Sequence, residues 1–362
     1  MNKIVHLITT IERGGAENQL LVLVREQLKN SDNLIEIIFL KGKPELKINF
    51  ENLGAKVNNS VANLSIFSQI IRIWKYFRHK NLIIHAHLPR AELLAAVTKG
   101  SNKLVFSRHN TETFIPGAPG LSSTMLSKFV AKRSHAGIAI SYAVLKFLGE
   151  NNEIPKKFNM EVIHYGFNSD DIFANKSPND AFAEIGIDSE HYIVGTISRL
   201  TEQKNLHTLL LAFKSFNSTV KKSKLIIIGA GPLESKLKEE AYFLGISSNV
   251  YWMGKQENVY NFLQIFDVFV LTSKYEGFGL VLLEAISMNT PIIASNNSAI
   301  PEVLGDNYLG FCATENSDDF ADQILKLQSI AYRKKLLKQL SLRLSFFSAE
   351  DMSKKIDKVY FS

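Results

Sequence analysis

The stretch Lys274-Tyr-Glu276-Gly-Phe-Gly-Leu-Val-Leu-Leu-Glu284 sets two glutamates eight positions apart, with Gly277, Phe278 and Gly279 between them. It follows the apolar run Phe266–Leu271 and leads into a second apolar run, Leu280–Ile286. Strand, glycine-bearing turn and helix start together predict a concave corner where backbone N–H groups and a positive dipole end can hold a phosphate. Glu276 falls on the turn and Glu284 within the first helical turns, a rise of roughly 12 Å or less away. Such a corner suits a ligand with a diphosphate in the middle and hydroxyl-rich groups on both sides. A nucleotide sugar has that chemistry.

A diphosphate also calls for cations. Ile197-Ser-Arg199-Leu-Thr-Glu-Gln-Lys204-Asn205 places Arg199 and Lys204 on a loop after a predicted strand, just before a helix starting near Asn205. At a strand's carboxyl end they would face a sheet-edge crevice, where the arginine can fork onto two oxygens of a leaving group. The first turn, Thr9–Glu17, carries Gly14 and Gly15, which let a ligand approach the backbone. It is not G-x-G-x-x-G, and Gly229-Ala-Gly231 is followed by Glu234 where that fingerprint requires glycine, so a dinucleotide site is not supported.

Three histidines stand at strand ends. His85 and His87 flank Ala86 and should point the same way, so that at least one could line a cleft; His109 follows the strand Lys103–Ser107. His85 and His87 have metal-like spacing, but no third or fourth ligand is evident nearby, and a zinc site is rejected. There is no P-loop, no G-x-S-x-G elbow and no Asp-x-Asp pair to hold a metal–diphosphate complex. A metal-independent reaction is expected, with Arg199, Lys204 and a helix N-terminus in place of the cation.

These residues need elements to hold them. Short apolar runs alternate with helical patterns, which predicts parallel sheets with crossover helices. Expected strands are Lys3–Ile8, Ile35–Leu40, Leu82–His85, Lys103–Ser107, Gly137–Ile140 and Met160–Ile163, then Ile193–Ile197, Lys224–Ile228, Val250–Trp252, Val268–Leu271 and Pro291–Ala294. Two such series imply an α/β protein of two doubly wound, Rossmann-like domains. The boundary is placed after Tyr165-Gly-Phe-Asn168, giving domains 1–168 and 169–340, with 341–362 as a helix returning toward the first domain.

The bulk numbers agree with a globular protein: 362 residues, 46% hydrophobic and 21% charged. Cys312 is the only cysteine, so no internal disulfide can form and a cytoplasmic location is expected. The early apolar run Ile4–Ile11 is too short for a signal-peptide core and reads as a first strand; no segment is long enough to span a bilayer. Charge is asymmetric. Residues 1–168 hold 22 Lys+Arg against 12 Asp+Glu, and the remainder 20 against 23. The aromatic-basic stretch Ile66–Arg78 reads as a core-packing helix with a basic edge, or as a surface helix that docks on anionic lipid. Nothing in the chain supports nucleic-acid binding.

Taken together, the motifs resemble the retaining glycosyltransferases of family 4, the group 1 glycosyl transferases, with the GT-B fold of two domains facing across a cleft. The resemblance runs from Gly14–Gly15 through Ile84-His-Ala-His87, Arg108-His109, Gly195-Thr-Ile-Ser-Arg199 and Lys204. It continues through Ile228-Gly-Ala-Gly231-Pro232, Met253-Gly254, the Glu276–Glu284 element, Pro291-Ile-Ile-Ala-Ser295 and Pro301-Glu302-Val303. Where many members carry a Gly-Gly pair after the serine-containing strand end, this chain reads Asn296-Asn297-Ser298-Ala299-Ile300, which leaves the donor sugar open.

The resemblance implies roles. Glu284 would bind the nucleotide ribose and Glu276 the donor-sugar hydroxyls, aided by backbone N–H groups of Gly277, Phe278, Gly279 and Leu280. Arg199 and Lys204 would hold the diphosphate, and Gly15 would approach it from the first domain. His109 would meet the donor sugar or reacting centre, His87 is a secondary candidate for the acceptor side, and Met253 to Gln256 would surround the base. The implied donor is a nucleotide-diphosphate sugar, uridine-linked; no cofactor and no metal is expected. The implied acceptor is a glycan or lipid-linked saccharide of envelope polysaccharide biosynthesis; the excess of 22 Lys+Arg over 12 Asp+Glu in residues 1–168 adds the expectation of an anionic membrane face. A non-hydrolysing sugar-nucleotide epimerase and a non-catalytic nucleotide-sugar-binding protein are the alternatives.

Overall fold

Runs rich in Ile, Val and Leu become strands of two all-parallel sheets because both faces of each sheet are covered by helices. The computed structural model describes residues 2–30, 32–115, 117 and 120–362. They form two units: unit 1 is Met1–Phe167 with Phe347–Ser362, and unit 2 is Asn168–Phe346.

In unit 1 the strands are β1 (Asn2–Ile8), β2 (Asn33–Phe39), β3 (Lys56–Asn58), β4 (Ile83–His87), β5 (Lys103–Arg108), β6 (Ala136–Ala139) and β7 (Met160–Val162). Helices α1 (Gly15–Leu28), α2 (Lys47–Asn52), α3 (Ile66–Phe77), α4 (Pro89–Thr98), α5 (Gly120–Arg133) and α6 (Tyr142–Glu150) connect them. The sheet order is β3-β2-β1-β4-β5-β6-β7. The chain winds outward from β1 through β3, then returns to start the other half at β4, so β1 and β4 flank the switch point where ligands of open α/β sheets collect.

Unit 2 repeats the scheme with α7 (Pro178–Ile185), β8 (Tyr192–Ile197), α8 (Leu206–Thr219), β9 (Ser223–Ile228), α9 (Glu234–Phe243), β10 (Val250–Gly254), α10 (Tyr260–Leu263) and β11 (Val268–Leu271). Then follow α11 (Leu280–Ser287), β12 (Ile292–Ser295), α12 (Ile300–Leu304), β13 (Phe311–Cys312), α13 (Ser317–Lys326) and α14 (Ile330–Leu340). Its sheet runs β10-β9-β8-β11-β12-β13, with the switch point between β8 and β11.

The last helix, α15 (Ala349–Phe361), belongs to unit 1. Ser348 caps it, its side chain accepting from Asp351 N–H. Met352, Ile356, Val359 and Tyr360 then join Leu20, Leu23 and Val24 of α1 over one sheet face, together with Ile4, Ile8, Val105 and Ile138. Helices α3, α4 and α5 cover the other face, where Val5, Leu7, Ile84, Ala86, Leu104 and Phe106 point.

Two strands escaped the sequence reading: β3 is three residues with one apolar side chain, and β13 only two. β4 also runs two residues further than expected, which draws His87 into the sheet. Among the described residues no helix is long and apolar enough to cross a membrane.

Candidate functional site

At the carboxyl edge of unit 2 the loops after β8 and β11 are knitted together. Lys274 N–H donates to the Gln203 carbonyl at 2.8 Å, the Gln203 side chain to the Tyr275 carbonyl at 2.9 Å, and Thr272 Oγ1 to the Lys204 and Asn205 carbonyls at 3.0 Å each. This lacing fixes the central contact: Lys204 Nζ donates to Glu276 Oε1 at 2.6 Å. Ser273 Oγ donates to the same oxygen at 2.6 Å. Glu276 is buried, yet its second oxygen, Oε2, has no partner among the described residues. The pair therefore holds one carboxylate oxygen and leaves the other to be met.

Arg199 is exposed on the same loop, and its guanidinium makes no ion pair or hydrogen bond with the described residues. Gly229 explains how that loop is held. A Cβ there would fall 1.9 Å from the Ser198 carbonyl oxygen, so only glycine lets the end of β9 close on the Arg199 loop. The pair Gly229–Gly231 thus serves backbone packing within unit 2.

Phe278 is buried, and Gly279 takes a left-handed conformation (φ 92°) immediately before α11. No side chain caps α11, so its amino end, at Leu280, presents a partial positive charge uncompensated by a cap. Glu284 lies half-buried on α11 without a hydrogen-bond partner among the described residues. Burial alone pushes its carboxyl up to about 7. A half-buried acceptor without a partner among the described residues is an opening for hydroxyl donors.

The loop after β12 shows what replaces the Gly-Gly pair. Ser298 occupies the left-handed region (φ 51°), and its Oγ donates to the Glu276 carbonyl at 2.7 Å. Asn297 Nδ2 donates to the Ser273 carbonyl at 3.2 Å and to Thr314 Oγ1 at 2.6 Å. Side chains here brace the Glu276 turn. Met253 and Gln256 stand at the end of β10, two strands from β8, where Gln256 Nε2 donates to the Met253 carbonyl at 2.7 Å. The edge thus carries Arg199, Lys204, Glu276–Leu280 and Glu284 near its switch point, and Met253 and Gln256 toward its margin.

In unit 1, Gly15 opens α1 and is exposed. The carboxyl of Glu17 folds back over this turn; a Cβ on Gly14 would come 2.4 Å from Glu17 Oε2. The helix start is thus already met by the protein's own acid, which the sequence reading did not foresee. Burial raises the Glu17 pKa.

His109 is half-buried just beyond β5. Its Nδ1 lies 2.6 Å from Tyr165 Oη and its Nε2 3.2 Å from His87 Nδ1, while its carbonyl accepts no hydrogen bond from the described residues. The neighbouring Arg108 points to the opposite sheet face, where it donates to Glu92 Oε2 at 2.7 Å, Glu153 Oε2 at 3.0 Å and Ser127 Oγ at 2.9 Å. That buried ion-paired group anchors the end of β5 from which His109 springs.

His87, expected on the acceptor side, is instead buried with both ring nitrogens engaged, the second by His6 at 3.0 Å. It stands behind His109, its Nδ1 3.2 Å from His109 Nε2. The reason is the added length of β4, whose register sets His6 beside His85 and His87 beside Ser107 on the face that α1 and α15 cover. His6 is the third imidazole that local spacing on β4 could not reveal. Burial lowers the pKa of all four: His6 to about 4, His109 to about 3, His85 and His87 well below the ordinary value. A small cavity of about 20 Å³ borders His85, His87, His109, Tyr165 and Gln19.

Residues 178–341, within unit 2, match the family Glycosyl transferases group 1. The chain is 29% identical over 252 residues to the N-acetyl-alpha-D-glucosaminyl L-malate synthase of Bacillus anthracis, which covers 68% of this chain and 65% of that protein. It therefore spans just under two thirds of that relative. With the capsular polysaccharide biosynthesis glycosyltransferase CapM of Staphylococcus aureus it shares 25% identity, over 90% of this chain and 87% of CapM. The crystal structure of Anabaena Alr3699/HepE in complex with UDP and glucose superposes with a TM-score of 0.86 at 18% identity, over 100% of both chains. The fold is thus GT-B.

Proposed function

We propose that the protein is a retaining, metal-independent glycosyltransferase that moves a sugar from a UDP-linked donor to a hydroxyl of a glycan or lipid-linked saccharide in envelope polysaccharide synthesis. One observation carries the reading: Glu276, held by Lys204 with one oxygen open, beside Arg199 and Glu284 on the same sheet edge, whose side chains have no hydrogen-bond partner among the described residues. Unit 2 is the nucleotide-sugar domain. Glu284 accepts from the ribose hydroxyls, Glu276 Oε2 from the sugar hydroxyls, and Arg199 and Lys204 neutralise the diphosphate with the turn from Gly277 to Gly279 and the α11 start at Leu280. Met253 and Gln256 border the base.

Unit 1 is the acceptor domain, from which the reading takes Gly15 for the phosphates and the His109 carbonyl for the reacting centre. The acceptor oxygen bonds to the anomeric carbon as the bond from that carbon to the phosphate oxygen breaks. Attack on the face of departure retains configuration, and the hydroxyl proton passes to the departing phosphate oxygen. No second carboxylate is needed for a covalent intermediate; rate comes from positioning and leaving-group electrostatics. The bound UDP and glucose in the structural neighbour and the capsular polysaccharide biosynthesis in CapM's name support the donor and pathway.

Docking of unit 1 on an anionic membrane, at the inner face of the cytoplasmic membrane, is part of the proposal. Helix α3 exposes Phe67, Ile71 and Trp74 beside Arg72, Lys75 and Arg78, an apolar face with a basic rim. Co-sedimentation with anionic liposomes at physiological salt tests this step, and no pelleting of the protein removes it. The catalytic reading is tested by incubating UDP-sugars with and without saccharide acceptor. Transfer with retained anomeric configuration supports it; conversion of donor to its epimer in the absence of acceptor overturns it.

A further inference from the structure

The histidines of unit 1 form a line of hydrogen bonds, and the line has a direction. It starts at Gln27 on α1. The Gln27 Nε2 amide donates to Tyr360 Oη at 3.3 Å, and the Asp357 carboxyl faces the same amide, so the NH₂ end points to α15 and the carbonyl oxygen Oε1 points to His6. An amide oxygen can only accept. His6 Nε2, 2.9 Å away, must therefore carry the proton.

A neutral imidazole has one N–H and one lone pair, so each assignment forces the next. His6 Nδ1 accepts, and His87 Nε2, 3.0 Å away, donates to it. His87 Nδ1 then accepts, and His109 Nε2, at 3.2 Å, donates. His109 Nδ1 accepts in turn, and the Tyr165 hydroxyl, at 2.6 Å, donates. All three rings are Nε2–H tautomers. Any ring with the other tautomer would set two N–H groups, or two lone pairs, against each other inside unit 1.

We propose that Gln27 sets the tautomer of His109 through His6 and His87, which makes Gln27, His6 and His87 positioning residues. The inference rests on the reading that His109 serves the reacting centre. It deepens that reading: both ring nitrogens of His109 are committed inside unit 1, so the residue offers a substrate its main-chain carbonyl and cannot take a proton as a base. The same accounting answers the idea of a cation among His6, His85 and His87, whose ligand atoms lie within 4.8 Å of one another. Every ring nitrogen there already has a protein partner, His85 through Tyr360 Oη at 2.6 Å and Ser107 Oγ at 2.7 Å.

The test is ring-nitrogen NMR on full-length protein with ¹⁵N-labelled histidine at pH 7, which distinguishes the two neutral tautomers by their nitrogen shifts. Wild type should show His6, His87 and His109 as Nε2–H; an Nδ1–H form at any of the three overturns the proposal. In Gln27→Met the fixed acceptor is gone, both directions of the line become available, and the His109 nitrogen shifts should move toward each other. Gln27→Glu, which keeps an acceptor oxygen against His6, should restore the wild-type pattern. A folded Gln27→Met protein with an unchanged His109 pattern overturns the proposal, and if that variant fails to fold the wild-type measurement decides alone. A second arm separates this inference from the reading beneath it. A tautomer shift with a severalfold lower kcat at unchanged donor KM supports both, whereas a tautomer shift with unchanged kcat keeps the line and shows that the His109 ring does not act on the reacting centre.

Discussion

Lys204 and Glu276 depend on each other. Lys204→Ala would leave a buried carboxylate with Ser273 as its only donor among the described residues, so under the proposed function two losses combine: charge at the diphosphate and orientation of Glu276. Transfer should fall about 10²–10³-fold in kcat, the scale for removing one preorganised electrostatic contact. Initial rates at saturating donor check this, and a loss below threefold would argue against the pair's role. Glu284 makes a different prediction, in pH. Its carboxyl is raised to about 7 when folded, against 4.5 ordinarily, so between these values the folded chain binds the extra proton and stability falls as pH rises. Glu284→Gln should flatten that decline in urea melts between pH 5 and 7.5. Ribose hydroxyls favour the ionised form, so UDP affinity should increase as pH rises through about 7 in wild type and lose that dependence in the variant.

Among the elements, β5 does two jobs with adjacent residues. Arg108 turns to the α4–α5 face and His109 leaves the strand's end toward Tyr165, so the buried Arg108–Glu92–Glu153 group fixes where His109 begins. Burial pushes Glu92 up to about 7 even with Arg108 opposing it. Arg108→Ala would strand two acids in the core and should cost ~3–5 kcal/mol in equilibrium unfolding. The long strands were legible because Ile- and Val-rich runs buried on both faces leave a strong pattern, as in Lys224–Ile228 and Val268–Leu271. The β3 and β13 strands were not, since edge strands of two or three residues carry no period. The Glu276–Glu284 corner was legible from glycines and carboxylates at fixed spacing. Its braces, Ser273, Asn297 and Ser298, were hidden because small polar residues reveal a role only through the contacts that folding makes. His6 was hidden for the same reason: it meets His87 across a gap of 81 residues.

Across the whole molecule, α15 shows how far a unit can reach along the chain. Residues 347–362 complete unit 1, and Tyr360 is both a core side chain and the partner of Gln27 and His85. Tyr360→Phe keeps the ring and removes the hydroxyl, and should cost ~1–3 kcal/mol by leaving buried partners unsatisfied. The four neutral histidines add a pH signature. Their folded pKa values lie below the unfolded value near 6.5, so the unfolded chain binds more protons in acid, and their contribution is present above that value and lost as pH falls. The melting temperature should drop between pH 6.5 and 5, and less steeply in His85→Phe. The most direct measurement is calorimetric titration of UDP into wild type, Lys204→Ala and Glu284→Ala at pH 7.5 without added metal. Saturable one-to-one binding by the wild type, weakened at least about tenfold in each variant, is the expected result. No binding by a folded wild type, or equal affinity in all three proteins, would contradict a nucleotide-sugar site at the carboxyl edge of unit 2.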